Sequence, residues 1–265
     1  MIAGGISAPD PYVRQSNAPL LNESYSYSGR TQVHPAIVNG ESTCVIVGFG
    51  DSTIANTINA TYTATNAAKV QSLSIDNGGV YLAQDPQLGA FQFAGQGSLL
   101  ARIGDKLISN GTYARVIFCL LGVNSAKIAD WAAGGVLNYR IGLAAKRLLA
   151  VGLTPNFVLC QNGANDRAAG VGRSAYALSQ QNVIDTFRSN GISCPFLVAQ
   201  MSWDNGAVSS NILLAQSDVV NGTSVFAGPN LDALDNANRH DGVHFNATGR
   251  NAASDLWITR IGQAH

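Results

Sequence analysis

The stretch Cys44-Val-Ile-Val-Gly-Phe-Gly-Asp-Ser52 decides how this chain is read. Its apolar run is too short for a helix and ends in a glycine, an acid and a serine. That pattern reads as a buried strand that stops at a tight turn and hands over to a helix. The turn leaves Ser52 at the carboxyl end of the strand, the edge where open α/β sheets bind their ligands.

Outward from this stretch, strand and helix patterns alternate. Further strands are expected at 70–75, 115–121, 156–160, 195–199 and 224–227. Amphipathic helices are expected at 98–109, 136–151, 175–188, 211–220 and 251–261, several of them closed by a glycine. The glycine-rich segment 77–97 reads as a long connection across the top of the sheet. Alternation of this kind implies crossover connections and a parallel sheet covered on both faces. Residues 1–40 show no sustained periodicity and read as an irregular arm, leaving 41–265 as the domain.

Composition narrows the function classes. Hydrophobic residues make up 46% of the chain, enough for a sizeable core, and charged residues only 12%. The formal net charge is +0, with no basic stripe, so nucleic acid is not an expected partner. No apolar run is long enough to span a bilayer, and the N-terminus lacks the basic and apolar regions of a signal peptide. The abundance of Asn, Ser, Thr and Gly would suit a surface or extracellular protein. Cys44, Cys119, Cys160 and Cys194 lie in or beside expected strands without metal-ligand spacing, which favours buried free thiols over a metal site.

Four punctuation points converge on one sheet edge. Gly50-Asp51-Ser52, Gly122 and Gly163-Ala-Asn165-Asp166 each follow a strand directly, and Asp241-Gly-Val-His244 follows the last strand after a loop. The chemistry they suggest is acyl transfer. A serine hydroxyl needs a base to take its proton, and histidine is the usual one. Asp241 and His244 are three residues apart, so one turn lets the carboxylate hold Nδ1 while Nε2 points to Ser52. An oxyanion needs preorganised donors, and the N–H of Ser52, the N–H of Gly122 and the amide of Asn165 are the candidates. Gly95 and Gly97 rival Gly122. His240, adjacent to Asp241, is a poorer candidate for the base.

These blocks, in this order, resemble the SGNH (GDSL-type) hydrolase superfamily. Ile128-Ala-Asp-Trp131 followed by Gly134-Gly135, and Arg239-His-Asp-Gly-Val-His-Phe245, resemble its sialate O-acetylesterase-related carbohydrate esterases. The resemblance covers roughly residues 44–260. It implies a three-layer α/β/α sandwich with a flavodoxin-like parallel sheet, and Ser52, His244 and Asp241 as nucleophile, base and orienter. Gly122 and Asn165 become oxyanion donors. No metal and no cofactor are implied. The expected substrate is an acylated carbohydrate or other small ester, most simply an acetyl ester. Asp51, Asp130, Trp131 and Trp203 are candidate substrate contacts, the tryptophans as a rim for sugar rings, with core packing an equal reading for each tryptophan and a turn cap the favoured reading for Asp130.

Other classes compete. Gly48-Phe-Gly-Asp-Ser-Thr53 nearly matches a dinucleotide-binding turn, with Asp76 as the ribose acid, but Thr53 stands where a small residue should allow close helix packing. A sugar-binding module on an inactive esterase fold is a second alternative. A lipase of the α/β-hydrolase type is disfavoured, because no serine sits in a G-x-S-x-G elbow.

Overall fold

A computed structural model of the chain describes residues 29–36, 40–91 and 96–264. Its centre is the strand expected from the opening stretch, β2 (Thr43–Gly50), in which every residue after Thr43 is buried. Two short strands, β3 (Val70–Leu73) and β4 (Val80–Leu82), follow it, and β1 (Gln32–Val33) precedes it. Then come α1 (Leu100–Ser109), β5 (Arg115–Leu120), α2 (Ile128–Trp131), α3 (Asn138–Ala150) and β6 (Phe157–Gln161). The chain continues through α4 (Ala164–Ala168), α5 (Arg173–Ser189), β7 (Phe196–Gln200), α6 (Ser210–Asp218), β8 (Val225–Asn230) and α7 (Ala247–Ile261).

One eight-stranded sheet runs in the order β1-β4-β3-β5-β2-β6-β7-β8. From β3 to β8 neighbouring strands are parallel, while β4 and β1 add an antiparallel edge. If the β3–β4 excursion is set aside, β5-β2-β6-β7-β8 is the flavodoxin-like order 2-1-3-4-5. The strand order reverses at β2, so the crevice beyond the ends of β2 and β6 is the switch point where this architecture binds ligands.

Side-chain alternation along β2 builds both halves of the core. Val45, Val47 and Phe49 face one side, with Ile141 and Leu148 of α3, Val183 and Phe187 of α5, and Ile212 of α6. Cys44 and Ile46 face the other, with Leu100, Ile103 and Leu107 of α1 and Trp257 and Ile261 of α7. Helices cover both faces, giving three layers. Phe49 anchors the first half, its ring centroid 5.6 Å from Trp131, 5.2 Å from Phe187 and 5.7 Å from Phe196.

Several expectations are corrected. No helix follows the Gly-Asp-Ser turn; residues 51–65 run as turns and bends before the chain reaches β3. That removes the dinucleotide reading, since a pyrophosphate would need a helix N-terminus there. The 77–97 connection contains β4, and Gln32–Val33, inside the expected arm, pairs with it as the edge strand. Arg30 donates to the carbonyls of Gln84 and Pro86 at the same edge. Residues 1–28 and 37–39 of the arm lie outside the described residues. The four cysteines are free thiols. Among the described residues no helix is long and apolar enough to cross a membrane.

Candidate active site

The β2 turn is shaped by its own sequence. Gly50 has φ +148°, and a Cβ there would lie 1.9 Å from the carbonyl oxygen of Gln161, so only glycine fits beside β6. Asp51 follows, fully buried, and its carboxylate clips two turns together. Oδ1 accepts from the Thr53 N–H at 2.9 Å and the Thr53 hydroxyl at 2.6 Å. Oδ2 accepts from the N–H groups of Gly163 at 3.1 Å and Ala164 at 3.3 Å, at the end of β6. Burial pushes the Asp51 carboxyl up, and the bonds from Thr53 and Gly163 pull against it. Asp51 is therefore a structural clip, and the expectation that it meets substrate fails because none of its surface is exposed.

The second half of the site comes from the loop after β8. The chain passes through two short 3₁₀ turns and closes a small hairpin, with the Arg239 and Phe245 backbones bridged and the His240 N–H bonded to the His244 carbonyl at 3.0 Å. Inside it, Asp241 Oδ1 accepts from the N–H groups of Val243 at 3.0 Å and His244 at 2.7 Å. This Asx-type turn is the local bonding that aspartate favours, and Gly242 supplies the positive φ of +86° that it needs.

Arg239 holds the hairpin from beneath. It is buried, donates to the carbonyls of Leu231, Leu234 and Val243, and lies over the rings of Phe245 and Trp203 at 4.6 and 5.2 Å. Burial pushes its guanidinium down to about 10, still charged at neutral pH. The Trp203 indole N–H donates to the Gly242 carbonyl at 3.0 Å and fixes the tip.

The two halves meet in one hydrogen-bonded chain. His244 Nε2 lies 2.8 Å from Ser52 Oγ, and His244 Nδ1 lies 2.7 Å from Asp241 Oδ2. Burial pushes the Asp241 carboxyl up, but the bonds from the His244 ring and from the His244 and Val243 N–H groups outweigh it and hold the group at about 2. Asp241 is therefore ionised at neutral pH and keeps the imidazole proton on Nδ1, which leaves the Nε2 lone pair for the serine hydroxyl.

The three candidate oxyanion donors are uncommitted. Among the described residues, the N–H of Ser52, the N–H of Gly122 and the side-chain amide of Asn165 have no hydrogen-bond acceptor. Gly122 packs against the turn that holds Ser52, where an added Cβ would lie 3.0 Å from the Ala55 nitrogen. Asn165 is in the first turn of α4, one residue beyond the Ala164 N–H held by Asp51. The rival Gly97 is ruled out as a donor because its N–H is bonded to the Ile58 carbonyl at 2.8 Å. Gly95 lies outside the described residues.

The expected sugar contacts separate. Trp131 is fully buried against Phe49, so it cannot form a rim. The Asp130 carboxylate accepts from the Lys127 N–H at 2.8 Å and caps α2. Trp203 is partly exposed beside the Asp241–His244 hairpin. Sequence reasoning missed Arg239 as a scaffold of this hairpin, and it gave His240 no role beyond that of a poor rival base. His240 Nε2 lies 2.9 Å from the Thr57 carbonyl, and its ring stacks on His244 with centroids 6.0 Å apart. His240, Asp241 and His244 also bring one ligand atom each within 4.8 Å of one another, the only such potential metal-holding group among the described residues.

No family model matches the sequence, and no curated protein matches it. Solved structures do. A protein from Arabidopsis thaliana superposes with a TM-score of 0.69 at 13% identity, covering 84% of this chain and 98% of its own. A GDSL-like lipase from Parabacteroides merdae gives 0.54 at 13% identity, covering 86% and 99%. A carbohydrate acetylesterase from Xanthomonas citri gives 0.61 at 12% identity; 83% of this chain matches 56% of that longer one. The sheet order, the helices on both faces and these neighbours together give the architecture its name: the chain has the SGNH hydrolase fold, and its resemblance to the lipase-acylhydrolases and carbohydrate acetylesterases of that fold holds in three dimensions.

Proposed function

We propose that the protein is a serine esterase that removes small acyl groups, acetyl in the first instance, from a carbohydrate. The observation that carries this reading is the continuous chain Ser52 Oγ–His244 Nε2 at 2.8 Å and His244 Nδ1–Asp241 Oδ2 at 2.7 Å. A serine and histidine side by side could be a coincidence of packing. A carboxylate that also fixes the imidazole tautomer makes the histidine a base aimed at the hydroxyl.

The steps follow from those contacts. His244 Nε2 takes the Ser52 proton as Oγ attacks the ester carbonyl, and Asp241 stabilises the resulting imidazolium. The carbonyl oxygen becomes an oxyanion, received by the N–H groups of Ser52 and Gly122 and the Asn165 amide. His244 then protonates the departing alcohol, and an acyl group remains on Ser52. Water, deprotonated by the same imidazole, clears it. The carbohydrate acetylesterase among the structural neighbours favours a sugar ester as substrate, and Trp203, partly exposed beside the hairpin, offers the aromatic surface that a sugar ring would pack on.

The test is turnover of p-nitrophenyl acetate, butyrate and octanoate by the wild type and by Ser52→Ala. The expected result is cleavage fastest on acetate, with the folded variant inactive. Equal rates from both proteins would remove Ser52 as nucleophile. Inert wild type that nonetheless binds saccharides would replace the enzyme reading with a sugar-binding module.

A further inference from the structure

We propose that His240, Asp241 and His244 form a site for a divalent ion of intermediate softness, Zn²⁺ in particular, and that filling it switches off Ser52. The binding half stands on geometry alone; the inhibitory half rests on the esterase reading above. Both imidazoles are anchored through Nε2 and turn Nδ1 toward the same carboxylate. His240 Nε2 lies 2.9 Å from the Thr57 carbonyl. A carbonyl oxygen only accepts, so Nε2 carries a proton, and in the neutral ring Nδ1 is left as a lone pair. A ring N–H given to a backbone carbonyl is the arrangement that orients a histidine toward a metal.

His240 Nδ1 faces Asp241 Oδ2 at 3.9 Å, so the neutral ring sets an acceptor opposite an acceptor. Asp241 Oδ2 is already bonded to His244 Nδ1 at 2.7 Å. Zinc bonds of about 2.0–2.2 Å in a tetrahedral set place ligand atoms about 3.4 Å apart. The two separations to Asp241 lie on either side of that value, and all three ligand atoms lie within 4.8 Å of one another. The Asp241 side chain is 42% exposed, which leaves an entry path and a fourth position for water or chloride.

The chemical consequence is a change of tautomer. Neutral His244 carries its single ring proton on Nδ1, bonded to Asp241. A metal on Nδ1 moves that proton to Nε2, with no net gain or loss. Nε2 then donates to Ser52 Oγ instead of accepting from it, and the base is gone although the ring has not moved. Asp241 is drawn to the metal at the same time, so two of the three groups needed to activate Ser52 are diverted.

The experiment has two arms. In the first, ZnCl₂ is titrated into Ser52→Ala by calorimetry, which needs no turnover. One ion per chain is expected, and the heat should be lost when His240→Gln is added. Glutamine keeps a donor for the Thr57 carbonyl but offers no imidazole. In the second, p-nitrophenyl acetate turnover by wild type and by His240→Gln is followed against Zn²⁺ and then EDTA. Wild type should be inhibited and fully restored by EDTA. Measured against its own metal-free rate, the variant should need at least about tenfold more Zn²⁺ for half inhibition. Absence of one-to-one binding overturns the site. Equal Zn²⁺ sensitivity of wild type and variant overturns it too, because the ion would then act elsewhere. If wild type cleaves no ester at all, the esterase reading falls, while the calorimetric arm still decides the metal site.

Discussion

Replacing Asp51 by asparagine tests whether the β2 turn is held by a buried carboxylate. The four donors divide evenly, the Thr53 N–H and hydroxyl on Oδ1 and the Gly163 and Ala164 N–H groups on Oδ2. An amide has one oxygen and one NH₂. Whichever way it is turned, two buried donors lose their acceptor and face another donor. Each such orphaned group forfeits about 1–3 kcal/mol. Against this, burial pushes the Asp51 carboxyl up, the sign that the ionised form is held at some desolvation cost, and a neutral amide recovers part of that. The donor loss acts twice and the relief once, so the net effect is a destabilisation of roughly 2–4 kcal/mol.

For a chain of this size that lowers Tm by roughly 5–15 °C. The assay is thermal unfolding followed by circular dichroism, with urea midpoints read at constant m-value. Thr53→Val is the control. It removes one of the four donors and leaves the others, so about 1 kcal/mol is expected. Turnover of p-nitrophenyl acetate should fall in kcat more than it changes KM, because the clip sets the Ser52 turn against the turn that leads into Asn165. The reasoning is refuted if Asp51→Asn lies within about 0.5 kcal/mol of wild type, since the carboxyl would then be protonated and already mimic an amide. It is also refuted if Thr53→Val costs as much as Asp51→Asn.

Asp241→Asn should keep the fold and lower kcat by about 10²–10⁴, with KM little changed; a kcat loss of less than a factor of three would show that the carboxylate does not orient His244. Asn165→Ala should lower kcat by about 10²–10³ through loss of an oxyanion donor, and an unchanged kcat would remove Asn165 from that role. Asp166 is buried at the start of α4, and burial pushes its carboxyl up to about 7, against the pull of the Ile128 N–H. A raised carboxyl favours the folded state in its neutral form, so its contribution is fully present below the unfolded value of about 3.9 and is lost as pH rises toward 7. Urea midpoints between pH 4.5 and 8.5 should therefore fall more steeply for wild type than for Asp166→Asn, and parallel profiles would contradict the assignment.

The sequence-to-structure comparison turns on which contacts are local. The central strands were legible because burial on both faces forces continuous apolar runs such as Val-Ile-Val in β2 and Val-Ile-Phe-Cys-Leu in β5. The long helices were legible from period and glycine stops. What was missed had no local signature. β4 and β1 are three and two residues long and exist through pairing across the chain, such as the Leu82 N–H to the Thr31 carbonyl. α2 and α4, of four and five residues, are too short to show a period. The helix expected after Ser52 is displaced by side-chain bonds that use the backbone otherwise: Thr57 Oγ donates to the Ser52 carbonyl, and Asn56 pairs with the Gln87 backbone. α7 starts at Ala247, earlier than periodicity suggests, because Asn246 caps it by accepting from the Gly249 N–H.

The site divides along the same line. Asp241 and His244 are joined by an Asx-type turn that four residues encode, so their spacing alone placed them together. The distance from His244 to Ser52 is not encoded locally at all. It is the closure of two clamps, and each is built from contacts far apart in the chain. On one side the Asp51 carboxylate fixes the Ser52 turn to Gly163 and Ala164. On the other, Arg239 and Trp203 hold the hairpin, while His240 reaches across to the Thr57 carbonyl, five residues beyond Ser52. That last contact is the only one of these that runs directly between the Ser52 segment and the hairpin by way of a residue outside the Ser52–His244–Asp241 chain. It joins the same two segments as the Ser52–His244 contact, and it leaves a ring nitrogen facing Asp241. The residue that helps bring the two halves together is thus the one through which an ion could uncouple them.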